Sequence, residues 1–283
     1  MNRESNGNAG RSAREGRGGR RRGRGPLTIV LIVICAGVFA VSAYMLIDYY
    51  WKGHEAEAAF EELRPPDDGD DDTGASDGTG GDSKYAKRQA HYLKLQGKNS
   101  DIVGWLRVFG TDVNYPVMQT PSDQDYYLHR DFKKNQSAFG TLYASANSDI
   151  AKPSDVTIIY GHMMKNGSMF GGLKEYTSLS YMKKHRRIRF DTLSEERLYE
   201  VFCVFTESVN TGKPSEFKYY QASDFADEAE WGEFISKAKT LQLYDTGVSA
   251  AYGDELLALS TCEYSHADGR LVVLAKRVGQ GES

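Results

Sequence analysis

From Leu27 to Ile47 the chain runs for 21 residues without a charged side chain. At about 1.5 Å of rise per residue, a helix over this run is long enough to cross a hydrocarbon core of about 30 Å. Tyr49, Tyr50 and Trp51 follow at once, where an interfacial aromatic belt belongs. Residues 1–26 carry eight arginines against Glu4 and Glu15, padded with glycine, a composition that cannot bury a core and reads as a disordered tail. Arginines before the span and acids after it place that tail in the cytoplasm and everything beyond residue 50 outside the cell. A cleaved signal peptide is the alternative, because Val41-Ser42-Ala43 resembles a cleavage site. Against it, the apolar run continues past Ala43 and is long for a signal-peptide core.

The uncharged run, residues 27–47, thus reads as one transmembrane helix. Residues 48–84 are acidic and glycine-rich around Pro65 to Gly74 and read as a solvated extracellular stalk. A calcium loop over Asp67 to Asp77 is disfavoured, since the spacing lacks the terminal glutamate of an EF-hand. The whole chain has 35 basic and 39 acidic residues, so the arginine tail sets orientation and does not mark a nucleic-acid binder.

Residues 85–283 are enough for one domain with its own core. Ser83 to Lys98 has the spacing of an amphipathic helix with Ser83 as N-cap. Short apolar runs separated by turn residues then follow: 102–108, 113–118, 141–144, 156–160, 188–191, 198–205, 256–260 and 271–278. Such a series favours an all-β barrel or sandwich over a βαβ sheet. Two helical insertions interrupt it, a short one over Phe170–Tyr176 and a longer one over Asp224–Leu243, where Phe225, Ala229, Trp231, Phe234, Ile235 and Ala238 keep a helical period. The expected fold is mainly β: a closed or nearly closed β-barrel decorated by helices.

The chemistry concentrates between Leu256 and Ala275. An apolar strand runs into Cys262, a polar loop follows, and Arg270 opens a second apolar strand. A thiol at a strand end beside a fixed cation suits a thiolate nucleophile with an oxyanion partner. A hairpin would bring Arg270 back beside Cys262, and its planar fork of donors suits an oxyanion better than lysine. The alternative is an exposed arginine paired with Asp268 or Glu263.

Of the other cysteines, Cys35 lies in the apolar run and Cys203 in a buried-type strand. A Cys203–Cys262 disulfide is conceivable outside the cell and would destroy the nucleophile. The base must be one of six histidines. His54 lies in the stalk, His91 in the first helix, His129 in a helical turn, and His185 at a helix end, where a cation is favoured. His162 follows the strand ended by Gly161, the same position relative to its strand that Cys262 has. If those strands are parallel neighbours, both side chains emerge at one rim. His266, four residues beyond Cys262 in a loop, is the rival. Ser260 shares a sheet face with Cys262 by alternation; it either binds substrate or satisfies a neighbouring polar group. No metal-ligand spacing, phosphate-cradling glycine motif or serine elbow occurs, so neither a metal nor a cofactor is expected.

Thr261-Cys262 after an apolar strand, Arg270 eight residues on, and Tyr160-Gly161-His162 upstream resemble the sortases, specifically class B. The likeness extends through Asn114–Gln119, Tyr126–Phe132, Gly161–Gly171 and Ala275-Lys276, over about residues 85–278. The resemblance implies an eight-stranded sortase-type barrel with N-terminal helices and a long helix between strands six and seven. It implies a cysteine transpeptidase on the outer face of a Gram-positive-type bacterium. Cys262 would attack a threonyl carbonyl in the C-terminal sorting signal of a secreted protein, Arg270 would stabilise the oxyanion, and His162 as imidazolium would protonate the leaving amine. The acyl group would pass to an amine of a peptidoglycan precursor, or to a protein lysine in pilus-building members. Ser260, Tyr160 and Glu263 would line the substrate groove. A Cys–His cell-wall endopeptidase and an inactive peptide-binding module are the competing readings.

Overall fold

Every strand of this domain is buried along most of its length, which requires either covering layers on both sides or a closed sheet. The computed structural model describes residues 25–66, 81–209, 211–263 and 269–279, with only the backbone of residues 81–83 and 262–263. The chain divides into two units at Tyr49/Tyr50.

The first helix, α1 (Pro26–Glu61), holds the uncharged run. Leu27, Val30, Leu31, Val33, Val38 and Phe39 are exposed around its circumference, as in a helix whose solvent is lipid. By length and composition it can cross a membrane. It does not stop where the apolar run stops. Residues 55–61, Glu-Ala-Glu-Ala-Ala-Phe-Glu, are mostly alanine and glutamate, strong helix formers whose acidity gives a stalk-like composition. Gly53 and Phe60 in that extension are buried, as is Leu63 just beyond it. The stalk expected over residues 48–84 is therefore helical at its start and packed, not solvated, around these residues. The arginine-rich tail and the acidic stretch 67–80 lie outside the described residues.

A second helix, α2 (Gly81–Gln96), covers the side of the barrel. Tyr92 stacks on Trp105 with ring centroids 6.0 Å apart. Its hydroxyl donates to Asp191 Oδ2 at 2.8 Å, which also accepts from Arg88 Nε at 2.8 Å. Buried charge is kept here because both signs are buried together.

The barrel strands are β1 (Ile102–Val108), β2 (Asn114–Met118), β3 (Leu142–Ala144), β4 (Val156–Gly161), β5 (Arg187–Thr192), β6 (Glu196–Ser208), β7 (Leu256–Glu263) and β8 (Gly269–Arg277). They close in the order β1-β2-β3-β4-β7-β8-β6-β5. The β2/β3 and β4/β7 pairs are parallel and the rest antiparallel. The fold is thus mainly β, a closed eight-stranded barrel as expected.

The short helical insertion is a 3-10 turn, Gly171–Thr177, followed by α3 (Leu179–Lys184). The long one, α4 (Glu228–Leu241), lies between β6 and β7. It begins later than Asp224 because Asp227 is the N-cap, its Oδ1 accepting from Glu230 N–H at 3.0 Å.

Strand alternation sorts the core into two layers. Val156, Ile158, Leu256, Ala258, Val272 and Leu274 pack outward against Trp231, Phe234 and Ala238 of α4 and against Phe217 and Tyr219. The intervening Ile159, Leu257, Leu259, Leu271 and Val273 are buried on the opposite face, inside the barrel. One face of β4, β7 and β8 therefore carries an apolar layer that ends at the rim where the reactive residue types begin.

Candidate active site

β4 and β7 are parallel neighbours, in register from Val156↔Leu256 to Gly161↔Thr261. The next residues along the two strands are His162 and Cys262. On the other side of β7, Cys262 is the direct backbone partner of Arg270 in β8. Three residues distant in sequence thus stand at the same end of three adjacent strands, with neighbouring strands about 4.8 Å apart. Position 262 falls on the outward face with 256, 258 and 260, and positions 160 and 270 fall on it too.

Gly161 ends β4 for a packing reason. A Cβ there would collide with Leu142 and lie 2.8 Å from Phe170 Cδ2. His162 beyond it is half-buried and held from two sides. Its Nε2 lies 2.7 Å from Leu128 O, and its carbonyl accepts from Phe170 N–H at 2.9 Å. A carbonyl only accepts, so Nε2 carries the hydrogen and Nδ1 is the nitrogen left to take up a proton. Burial lowers the pKa of His162; the Leu128 hydrogen bond opposes that, and nearby His129, its ring centroid 5.5 Å away, adds to it.

Arg270 is half-buried, and its Nη1 donates to Gly269 O at 3.0 Å. Among the described residues no carboxylate pairs with it. Asp268 and His266 lie outside the described residues, and the side chains of Cys262 and Glu263 are likewise not described. Cys203 is a free thiol, buried and 3.4 Å from Ala238 O, with its pKa pushed up to about 11 by burial. That makes it a core residue and not a nucleophile.

Arg270, Tyr160, Ser260 and Thr261 line a cleft of about 260 Å³. Tyr160 is hydrogen-bonded to Ser145 and its ring lies 5.4 Å from Tyr143; burial pushes its pKa up to about 12, so it stays a neutral phenol. Ser260 is 1% exposed and its hydroxyl is hydrogen-bonded to Tyr219 OH at 2.8 Å, so it has a polar partner before any substrate arrives. Gln124, Asp125, Leu128, Tyr143, Tyr219 and Tyr220 also form its walls, with Gly161 and Val209, and the spacing argument reached none of these six. Asp125 accepts from Tyr143 OH at 3.2 Å. A signal was present in the aromatic-polar runs Asp123–Tyr127 and Lys218–Tyr220, but nothing local in them points to β7.

A slightly larger hollow, about 300 Å³, is lined by Glu196, Asp254, Glu255 and Arg277. It lies at the ends of β7 and β8 opposite to Cys262 and Arg270, so the chemistry and not the volume points to the candidate site. Among the described residues no three His, Cys, Asp or Glu side chains converge as metal ligands.

The Sortase domain family matches residues 106–278. Sortase B of Staphylococcus aureus (strain NCTC 8325 / PS 47) is 27% identical over 260 residues, 88% of this chain and 96% of that protein. Among solved structures, sortase B from Bacillus anthracis is 38% identical with a TM-score of 0.59, over 66% of this chain and 84% of that one. The Staphylococcus aureus sortase B–substrate complex superposes with a TM-score of 0.60 at 29% identity, over 67% of this chain and 85% of that one. A family match across more than half the length, on a closed eight-stranded barrel, with sortase B relatives over most of the chain, establishes that the chain belongs to the sortase family, in its class B, and is a cysteine transpeptidase.

Proposed function

We propose that Cys262, His162 and Arg270 are the catalytic residues of a membrane-anchored enzyme that joins secreted proteins to an amine acceptor on the cell surface. The observation that carries this reading is the register at one barrel end, Gly161↔Thr261 followed by Cys262↔Arg270. His162 takes the thiol proton on Nδ1. The Cys262 thiolate attacks the carbonyl carbon of a threonine in a C-terminal sorting signal, forming a C–S bond and an oxyanion. The Arg270 guanidinium stabilises that oxyanion with charge-assisted hydrogen bonds. Collapse breaks the C–N bond, and the proton on His162 goes to the departing nitrogen, without which an amide does not leave. An amine of a peptidoglycan precursor then attacks the thioester and regenerates the thiol.

Tyr160, Ser260 and Glu263 hold the signal peptide. Tyr160 presents a neutral phenol to the cleft, and Ser260 acts through Tyr219. The α1 apolar run anchors the chain in the cell membrane with residues 1–26 cytoplasmic, and residues 85–283 form the extracellular catalytic domain.

The test is incubation of the full chain in detergent with a library of threonine-containing sorting-signal peptides, with and without triglycine. Product joined to triglycine is expected. Cleavage at the same rate with and without any amine, including protein lysine, would replace this reading with a peptidase.

A further inference from the structure

The loop after His162 closes on itself. Met163 and Met169 form an antiparallel bridge, and Phe170 N–H donates to the His162 carbonyl. Met169 holds φ at +53°, a left-handed conformation that a non-glycine side chain adopts only when its surroundings impose it. What grips it is a residue two strands away in the barrel: Met169 N–H donates to Tyr115 OH at 3.1 Å. Tyr115, on β2 and fully buried, donates that hydroxyl to Glu57, at 3.0 Å to Oε2 and 3.3 Å to Oε1.

Glu57 belongs to the extension of α1 beyond its apolar run. Gly53, Glu57 and Phe60 are spaced four and three apart and share one helix face. A Cβ on Gly53 would lie 2.8 Å from Asn166 Nδ2 and 3.2 Å from Phe139 Cζ, so the helix backbone sits directly on the His162 loop. Phe60 meets the Tyr115 ring edge-on at 5.3 Å.

We propose that Glu57 and Tyr115 are positioning residues for His162, through a hydrogen-bonded string running from Glu57 to Tyr115 OH, to Met169 N–H, and through Phe170 to the His162 backbone. The proposal rests on the reading of His162 as the proton-transfer group. The string does not include the cleft-lining Tyr143, Tyr160 or Tyr220, so it bears on chemistry and not on peptide affinity. Tyr115 needs an acceptor on α1 to orient its hydroxyl toward Met169, and glutamine serves as well as glutamate.

The experiment compares Glu57→Leu, Glu57→Gln and Tyr115→Phe with the parent, as full chains in detergent. Turnover is measured with the triglycine assay, and Met169 amide exchange and the His162 ring nitrogen signals are measured without substrate. Glu57→Leu and Tyr115→Phe are expected to lower kcat about tenfold, as for a misplaced catalytic group, with KM within about twofold. Met169 exchange rises and the His162 ring signals move in both, while Glu57→Gln stays near the parent on every readout. Unchanged kcat in Glu57→Leu and Tyr115→Phe would overturn the proposal. So would a loss that Glu57→Gln shares in full, or one carried by KM. If the parent joins no peptide, the proposed reaction fails separately. The exchange and ring signals then decide, and both unmoved in folded Tyr115→Phe overturns the positioning role.

Discussion

His162 is pulled in two directions, since burial disfavours its charged form while the Leu128 carbonyl favours it. The net shift is downward, which favours the neutral imidazole that the proposed mechanism needs to accept the thiol proton. A ring titration should place His162 below the ordinary histidine value of about 6.5. The folded value lies below the unfolded one, so folding releases a proton. The stability tied to His162 is then fully present above about pH 6.5 and lost as pH falls through the folded value. Melts across pH 4–8 should show that slope in the parent and not in His162→Gln. A His162 titration at or above 6.5 contradicts it. At Arg270, lysine keeps the charge and loses the fork. Arg270→Lys is expected to cost about 10²–10³ in kcat, the scale of a lost oxyanion donor, and Arg270→Ala at least as much, while His266→Ala leaves most turnover. The opposite ranking of His162→Ala and His266→Ala would move the acid–base role to the loop. The candidates Cys262, His162 and Arg270 could be picked out because each stands at the end of an apolar run. Tyr219, Gln124 and Leu128 were not, because they meet the site from elements distant in the chain.

Strand positions followed from alternating apolar runs, since one buried face gives a period of two whatever the partner strand is. The helix α4 was found by its period, and its start was fixed by the Asp227 cap, which a period alone does not reveal. The extension of α1 was missed for a physical reason: an acidic helix held by one packed face has the same composition as a solvated linker. Gly161 is the junction that matters most at this scale. Gly161→Ala pushes a methyl into Leu142 and Phe170. Such overpacking costs typically about 1–3 kcal/mol, and it displaces the Phe170 backbone that pins the His162 carbonyl. A lower Tm together with a larger proportional fall in kcat than in affinity is expected. A stability loss with kcat intact would mean that the rim tolerates the shift.

As a molecule, the chain joins a helix whose first part is apolar on all sides to a barrel whose candidate active-site rim is served by β4, β7 and β8. The proposed topology makes a concrete forecast for whole cells: added protease degrades residues 85–283, while a tag ahead of Arg3 is protected until the membrane is opened. A tag cleaved in intact cells would invert the orientation. The amino-acid sequence alone determined that the chain has a membrane-length helix, that the rest is a mainly β domain, and which side chains are the candidates for the chemistry, because hydropathy, periodicity and residue type are local properties. That β4 lies parallel beside β7, that Cys262 faces Arg270, and that a tyrosine of β2 reaches the His162 loop were decided only by the closed barrel, because strand order and register are set by contacts between segments up to a hundred residues apart.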